Sequence, residues 1–186
     1  MILTDREIKL AISKDQIRID PPPPEQAYSS TAVDLTLHRL ARRFKDDASR
    51  GLRLDPANPT YSYHAISSVL TEQVDTDPEF NLEGRTLLLG WTEEYVALPE
   101  FSRVAARVEG KSSLARLGLG VHITAPTIHA GFGGQIQLEI INHGPAPVTL
   151  RAGMRICQLI FETTLGTPEK GYAGIFAGQT ARDGTQ

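Results

Sequence analysis

Apolar and polar positions along the chain begin with a helical spacing and then settle into short β-like runs. Thr4-Asp5-Arg6-Glu7 has the capping-box spacing, a hydroxyl at the cap and a carboxylate three residues on. Ile8, Leu10, Ala11 and Ile12 continue it as a short, mostly apolar helix that ends near Lys14. Ile17-Arg18-Ile19 alternates like a strand until the prolines at 21–24 stop it in an extended run. Thr31-Ala32-Val33-Asp34-Leu35-Thr36-Leu37 is the next strand candidate. Residues 45–84 are charged and loop-rich, with turn signals at Asp55-Pro56 and Asn58-Pro59 and a short helical piece over 65–70. From Arg85 onward the pattern predicts strands at 86–91, 95–98, 103–108, 121–124, 135–141, 148–150 and 155–161. Glycine or proline separates most of them. Many short strands at such spacing predict a mainly β barrel or sandwich. The tail from Gly166 carries Gly166, Gly171, Gly174, Gly178 and Gly184 without a helical period, so residues 166–186 read as a flexible arm.

Composition narrows the chemistry. A chain of 186 residues reads as one domain, 1–186, long enough to bury a core without disulfides or a metal staple. A net charge of −3 argues against a nucleic-acid binder, which would carry a basic face, although a local basic pocket for a small polyanion fits. Nothing resembles a signal peptide or a membrane span, so the chain reads as cytoplasmic. Cys157 is the single cysteine, and His38, His64, His122, His129 and His143 show no metal-ligand spacing. The His/Cys/Cys or Cys₃ site of the zinc nucleobase deaminases cannot be assembled from this set, so no zinc is expected.

Two stretches could carry chemistry. In Gly110-Lys111-Ser112-Ser113-Leu114-Ala115-Arg116-Leu117-Gly118, a glycine is followed within six residues by a lysine, two hydroxyls and an arginine. Those groups can grip phosphates as charge-assisted and neutral donors. They equally suit a helix start capped by Ser112, with Lys111 and Arg116 in solvent. In Gln135-Ile136-Gln137-Leu138-Glu139-Ile140-Ile141-Asn142, the three apolar residues share one strand face and Gln135, Gln137 and Glu139 the other. Glu139 is then either a wet-side residue or a general acid/base held on a rigid strand.

These motifs resemble the dCTP deaminases, a family related to the dUTPases. The resemblance is carried by residues 110–119, by Val121-His122-Ile123-Thr124-Ala125, and by Gly131-Phe132-x-Gly134-x-Ile136-x-Leu138-Glu139. The start, Leu3-Thr4-Asp5-Arg6-Glu7-Ile8, together with Ala32-Val33-Asp34-Leu35 and Tyr172…Gly178-Gln179, extends it over nearly the whole chain. The resemblance implies a distorted jelly-roll of the dUTPase-like type, assembled as a homotrimer with active sites at subunit interfaces. It implies deamination of dCTP to dUTP and ammonia, with dTTP as an inhibitor and Mg²⁺ carried on the substrate triphosphate. By the same resemblance Glu139 activates water and shuttles its proton, and Ser112 and Arg116 hold that carboxylate and water. Lys111, Ser113 and Gln179 face the triphosphate, the backbone around Gln137, Leu138 and Glu139 reads the cytosine edge, and Tyr172 closes the site. His122 lines the pocket or simply fills a strand position.

The chain also departs from the family pattern. Lys111 stands where an arginine is usual, keeping the charge but losing bidentate geometry. Ile175 aligns with a usual tail lysine, and His129 takes the sugar-side place of a usual aspartate, as in some deaminase relatives. The alternatives are a dUTPase or bifunctional deaminase–dUTPase, to which Arg155-Ile156-Cys157-Gln158-Leu159-Ile160-Phe161 is similar, and a non-catalytic nucleotide-binding trimer. Trp91 reads as core or interface packing, and Arg42-Arg43-x-Lys45-Asp46-Asp47 as solvated surface.

Overall fold

The capping box forms as its spacing predicts. Thr4 and Glu7 bond reciprocally at the start of helix α1 (Asp5–Ser13), which buries Ile8 and Ala11 and leaves Leu10 half exposed. The computed structural model describes residues 1–46, 51–174 and 176–182; Asp47, Ile175 and Gly184 lie outside the described residues. After α1 come strands β1 (Arg18–Asp20), β2 (Tyr28–Ser29), β3 (Ala32–Thr36) and β4 (Leu40–Phe44). Helix α2 (Tyr63–Leu70) is followed by β5 (Thr71–Asp75), β6 (Phe80–Leu82), β7 (Leu87–Ala97) and β8 (Val104–Gly110). A one-turn helix α3 (Ser112–Ala115) then leads to β9 (Leu119–Gly120), β10 (Gly133–Asn142), β11 (Val148–Leu150) and β12 (Arg155–Thr163).

The strands pair antiparallel, as expected for a mainly β fold. One sheet runs β5-β4-β7-β10-β9, with β1 beside the far end of β7; a second runs β2-β3-β12-β8, and β11 pairs with β6. Leu88, Leu138 and Ile140 of the first sheet and Leu35, Ile156, Leu159 and Phe161 of the second lie in one buried cluster. Packing of alternating apolar faces against each other supplies most of the drive to fold.

Three sequence expectations change. The runs at 86–91 and 95–98 are one strand, β7, interrupted by a bulge in which Thr92, Glu93 and Glu94 oppose the single β10 residue Ile136. Side chains mend the ladder there. Thr92 Oγ1 accepts from Ile136 N at 2.9 Å and donates to Glu94 O at 2.8 Å, while Gln135 Nε2 donates to Thr92 O at 3.0 Å. The bulge turns Glu94 inward, where its carboxylate accepts from Thr36 N and Thr36 Oγ1, both at 2.9 Å, and burial pushes its pKa up. The expected strand at 121–124 is irregular, bending backbone, because pairing with β10 stops after Leu119 and Gly120.

The loop-rich stretch at 45–84 holds α2 where a short helical piece is expected, but also β5 and β6, and β5 pairs along its whole length with β4. Neither β4 nor β5 alternates cleanly in sequence, and the pairing spans about thirty residues of chain, so no local signal announces it. Arg42 is accordingly buried rather than solvated: its Nε donates to Thr71 Oγ1 at 2.7 Å and its guanidinium also reaches Thr71 O at 3.3 Å. Arg43 does face solvent, paired with Glu72 at 2.5 Å. Trp91 is buried, in line with its reading as packing.

Candidate active site

Strand β10 builds the site. Ile136, Leu138 and Ile140 point into the core, so Gln135, Gln137 and Glu139 share the opposite face. Leu138 therefore offers a ligand only its backbone. The Glu139 carboxylate is held from the bend after β9: its Oε2 lies 3.6 Å from His122 Nδ1 and accepts from Ile123 N at 3.4 Å. The His122 contact becomes an ion pair when the imidazole is protonated.

Ile136, Gln137 and Glu139 form one wall of a cavity of about 290 Å³, with residues 124–129, Phe132, Tyr172, Phe176, Gln179 and Tyr63 completing it. This is the lower end of the size range of small-ligand sites. His129 stacks on Tyr172, ring centroids 6.3 Å apart, and both also line an adjoining cavity of about 320 Å³ that contains Lys170.

The glycine-rich tail reaches the cavity by pairing with the start of β10 and the backbone just before it. Tyr172 N donates to Ala130 O at 2.8 Å, Gly178 N to Gly133 O at 2.7 Å, and Gln135 N to Gln179 O at 2.9 Å. Gln179 Nε2 returns a bond to Gln135 O at 3.0 Å. Gly131 makes the close passage possible: its φ is +89°, and a Cβ there would stand 2.5 Å from Tyr172 N.

The structure thus gathers Gln137, Glu139, His122, His129, Tyr172 and Gln179 at one place. It does not bring the 111–116 turn there. Lys111 Nζ pairs with Asp34 Oδ1 at 2.6 Å, with Arg155 on the other Asp34 oxygen at 3.6 Å. Ser112, Ser113 and Arg116 are exposed, and none of the four residues lines the cavity beside Glu139. Ser112 is also not the helix cap: Lys111 occupies that position, with no side-chain cap bond. Sequence reasoning missed Tyr63 and Phe176. Tyr63 opens α2, capped by Ser62 Oγ accepting from Ala65 N, and its hydroxyl donates to Gln137 Oε1 at 3.1 Å. Ser62 followed by an apolar run was a usable helix-start signal, but nothing local placed that helix against β10. Cys157 is buried, and among the described residues no group of three or more His, Cys, Asp or Glu could hold a metal ion.

A family model described as dCTP deaminase-like matches residues 2–164. The chain belongs to that family. It is 40% identical over 175 residues to a "dCTP deaminase, dUMP-forming" of Methanothermobacter thermautotrophicus, covering 92% of this chain and 83% of that protein. It is 38% identical over 173 residues to a "dCTP deaminase" of Rhodospirillum rubrum, covering 93% and 88%. Among solved structures it is similar to the 2'-deoxycytidine 5'-triphosphate deaminase of Agrobacterium tumefaciens, with TM-score 0.65 and 24% identity. That match covers 87% of this chain and 48% of the other, so this dCTP deaminase-like chain spans about half the length of that one. No described helix is long and apolar enough to cross a membrane.

Proposed function

We propose that this dCTP deaminase-like chain hydrolyses dCTP to dUTP and ammonia, with Glu139 as general acid/base and no zinc. The observation that carries the reading is a carboxylate on a rigid strand, at the wall of a small-ligand cavity, in a chain of this family. Attack at C4 of cytosine needs a deprotonated water, a proton at ring N3 and expulsion of ammonia. Glu139 takes the proton from water, passes it to N3, and carries the second proton to the leaving amino group. His122 steadies the carboxylate, the backbone at Gln137 and Leu138 faces the cytosine edge, and His129 packs against the sugar. Tyr172 closes the cavity and Gln179 faces the phosphates. Mg²⁺ rides on the triphosphate as part of the substrate, and dTTP competes for the same site.

Ser112 and Arg116, which hold Glu139 and the water, and Lys111 and Ser113, which grip phosphates, come from a neighbouring subunit of a homotrimer. What supports this assignment is the exposure of Ser112, Ser113 and Arg116 and the absence of all four residues from the lining of the cavity in their own chain. The enzyme works in the cytoplasm. Incubation with dCTP and Mg²⁺, with ammonia, dUTP, dUMP and pyrophosphate resolved, tests the reading; absence of ammonia overturns it. A second reading, a bifunctional deaminase–dUTPase, is favoured by the name "dUMP-forming" of the Methanothermobacter relative. In that case dUMP and pyrophosphate accumulate with the ammonia, and supplied dUTP is hydrolysed.

A further inference from the structure

The α2 segment brings a tyrosine to the cavity that nothing above assigns a role. Gln137 sits on the polar face of β10 two residues from Glu139, and a side-chain amide there can present either its carbonyl or its NH₂ to a ligand. In the structure the amide turns its carbonyl to Tyr63, whose hydroxyl donates to Gln137 Oε1 at 3.1 Å. With its carbonyl turned to Tyr63 in this way, the amide offers a ligand its two N–H groups.

The tyrosine is itself well fixed. It is the first residue of α2, its ring meets Phe176 of the tail edge-on at 5.6 Å, and it packs against His64 at the same separation. Burial pushes the phenol above its ordinary pKa, so it stays protonated and remains a donor at neutral pH.

We infer that Tyr63 is a positioning residue for base recognition, holding the Gln137 amide so that its NH₂ faces the O2–N3 acceptor edge of a pyrimidine. The inference rests on the deaminase reading. Cytosine offers acceptors at both O2 and N3, whereas uracil carries a hydrogen on N3. An NH₂ group aimed at this edge therefore favours the substrate over the product, and a carbonyl aimed there would do the reverse. Binding sites built to make such a bond reject ligands that cannot complete it.

The test uses the full chain and an ammonia-release assay on wild type, Tyr63→Phe, Gln137→Leu and the double variant. Tyr63→Phe keeps the ring and its contact with Phe176 but loses the hydroxyl. We expect KM for dCTP to rise roughly tenfold, the worth of one neutral hydrogen bond, with kcat nearly unchanged. Inhibition by dUTP should change less, so selectivity for dCTP over dUTP narrows. Gln137→Leu should cost at least as much, and the double variant no more than Gln137→Leu alone, because Tyr63 acts through Gln137. Additive losses, or an unchanged dCTP-to-dUTP selectivity, would mean that Tyr63 only packs. An active wild type with an unaltered Tyr63→Phe KM overturns this inference alone, while a wild type that releases no ammonia overturns the deaminase reading and this with it. Should Tyr63→Phe fail to fold, an unchanged KM in Gln137→Leu is by itself sufficient to overturn the inference.

Discussion

Replacing Glu139 by glutamine isolates the chemistry from the architecture. The change is nearly isosteric, and it falls on the polar face of β10, whose packing is carried by Leu138 and Ile140, both almost fully buried. Glutamine Oε1 can still accept from Ile123 N, as the carboxylate does at 3.4 Å, so the bend that carries His122 keeps its anchor. Stability should therefore stay within about 0.5 kcal/mol of wild type, the usual range for substitutions away from packed features. What the amide cannot do is take a proton from water. General acid/base catalysis is typically worth ~10²–10⁴-fold, so kcat for ammonia release should fall at least about 100-fold. Binding of dCTP, followed by calorimetry, should change little. The assay is single-turnover ammonia release beside thermal unfolding of both proteins. A variant that keeps more than about a tenth of wild-type kcat would refute the general acid/base role, and one that also unfolds early would show that Glu139 holds the bend after β9.

Glu94 gives a pH test of stability: burial raises its pKa in the folded state, so folding binds a proton there that the unfolded chain has released. The stability linked to that proton is fully present below the ordinary carboxylate range and is lost as pH rises through the raised value, so Glu94→Gln should unfold at a higher temperature than wild type near pH 8, and this advantage should shrink near pH 4. Truncation after Gly171 removes Tyr172, Phe176 and Gln179 from the cavity wall, and should raise KM for dCTP strongly while β10 and the core remain folded in circular dichroism. His129→Ala removes the ring stacked on Tyr172, and should weaken nucleotide binding more than it lowers kcat; a collapse of kcat at unchanged affinity would contradict its place beside the sugar.

The parts of the fold that were legible are those whose signal is local. The Thr4–Glu7 box, the alternation of β10 and the runs of β11 and β12 state their own conformation, since burial of one face follows from spacing alone. The bulge in β7 was not legible, because it depends on Thr92 and Gln135 finding partners across two strands. Nor was β4, whose Arg-rich sequence reads as surface until the side chain of Arg42 meets Thr71. At the candidate site, Glu139, Gln137, His129, Tyr172 and Gln179 are legible in the sequence, through resemblance and strand pattern. Tyr63 and Phe176 are not, since only folding of α2 and of the tail against β10 brings them there.

From the sequence alone follow a mainly β chain with a capped N-terminal helix, no possible intrachain disulfide, and one carboxylate on the polar face of a strand flanked by buried isoleucine and leucine. These are consequences of residue type and spacing, which act over a few positions. The tertiary structure decided which groups converge: that the Glu139 carboxylate meets His122, that the tail returns past Gly131, and that residues 111–116 do not line the cavity beside Glu139 within the chain. Those outcomes depend on contacts between residues far apart in sequence, whose energies exist only once the sheets have paired and the core has closed.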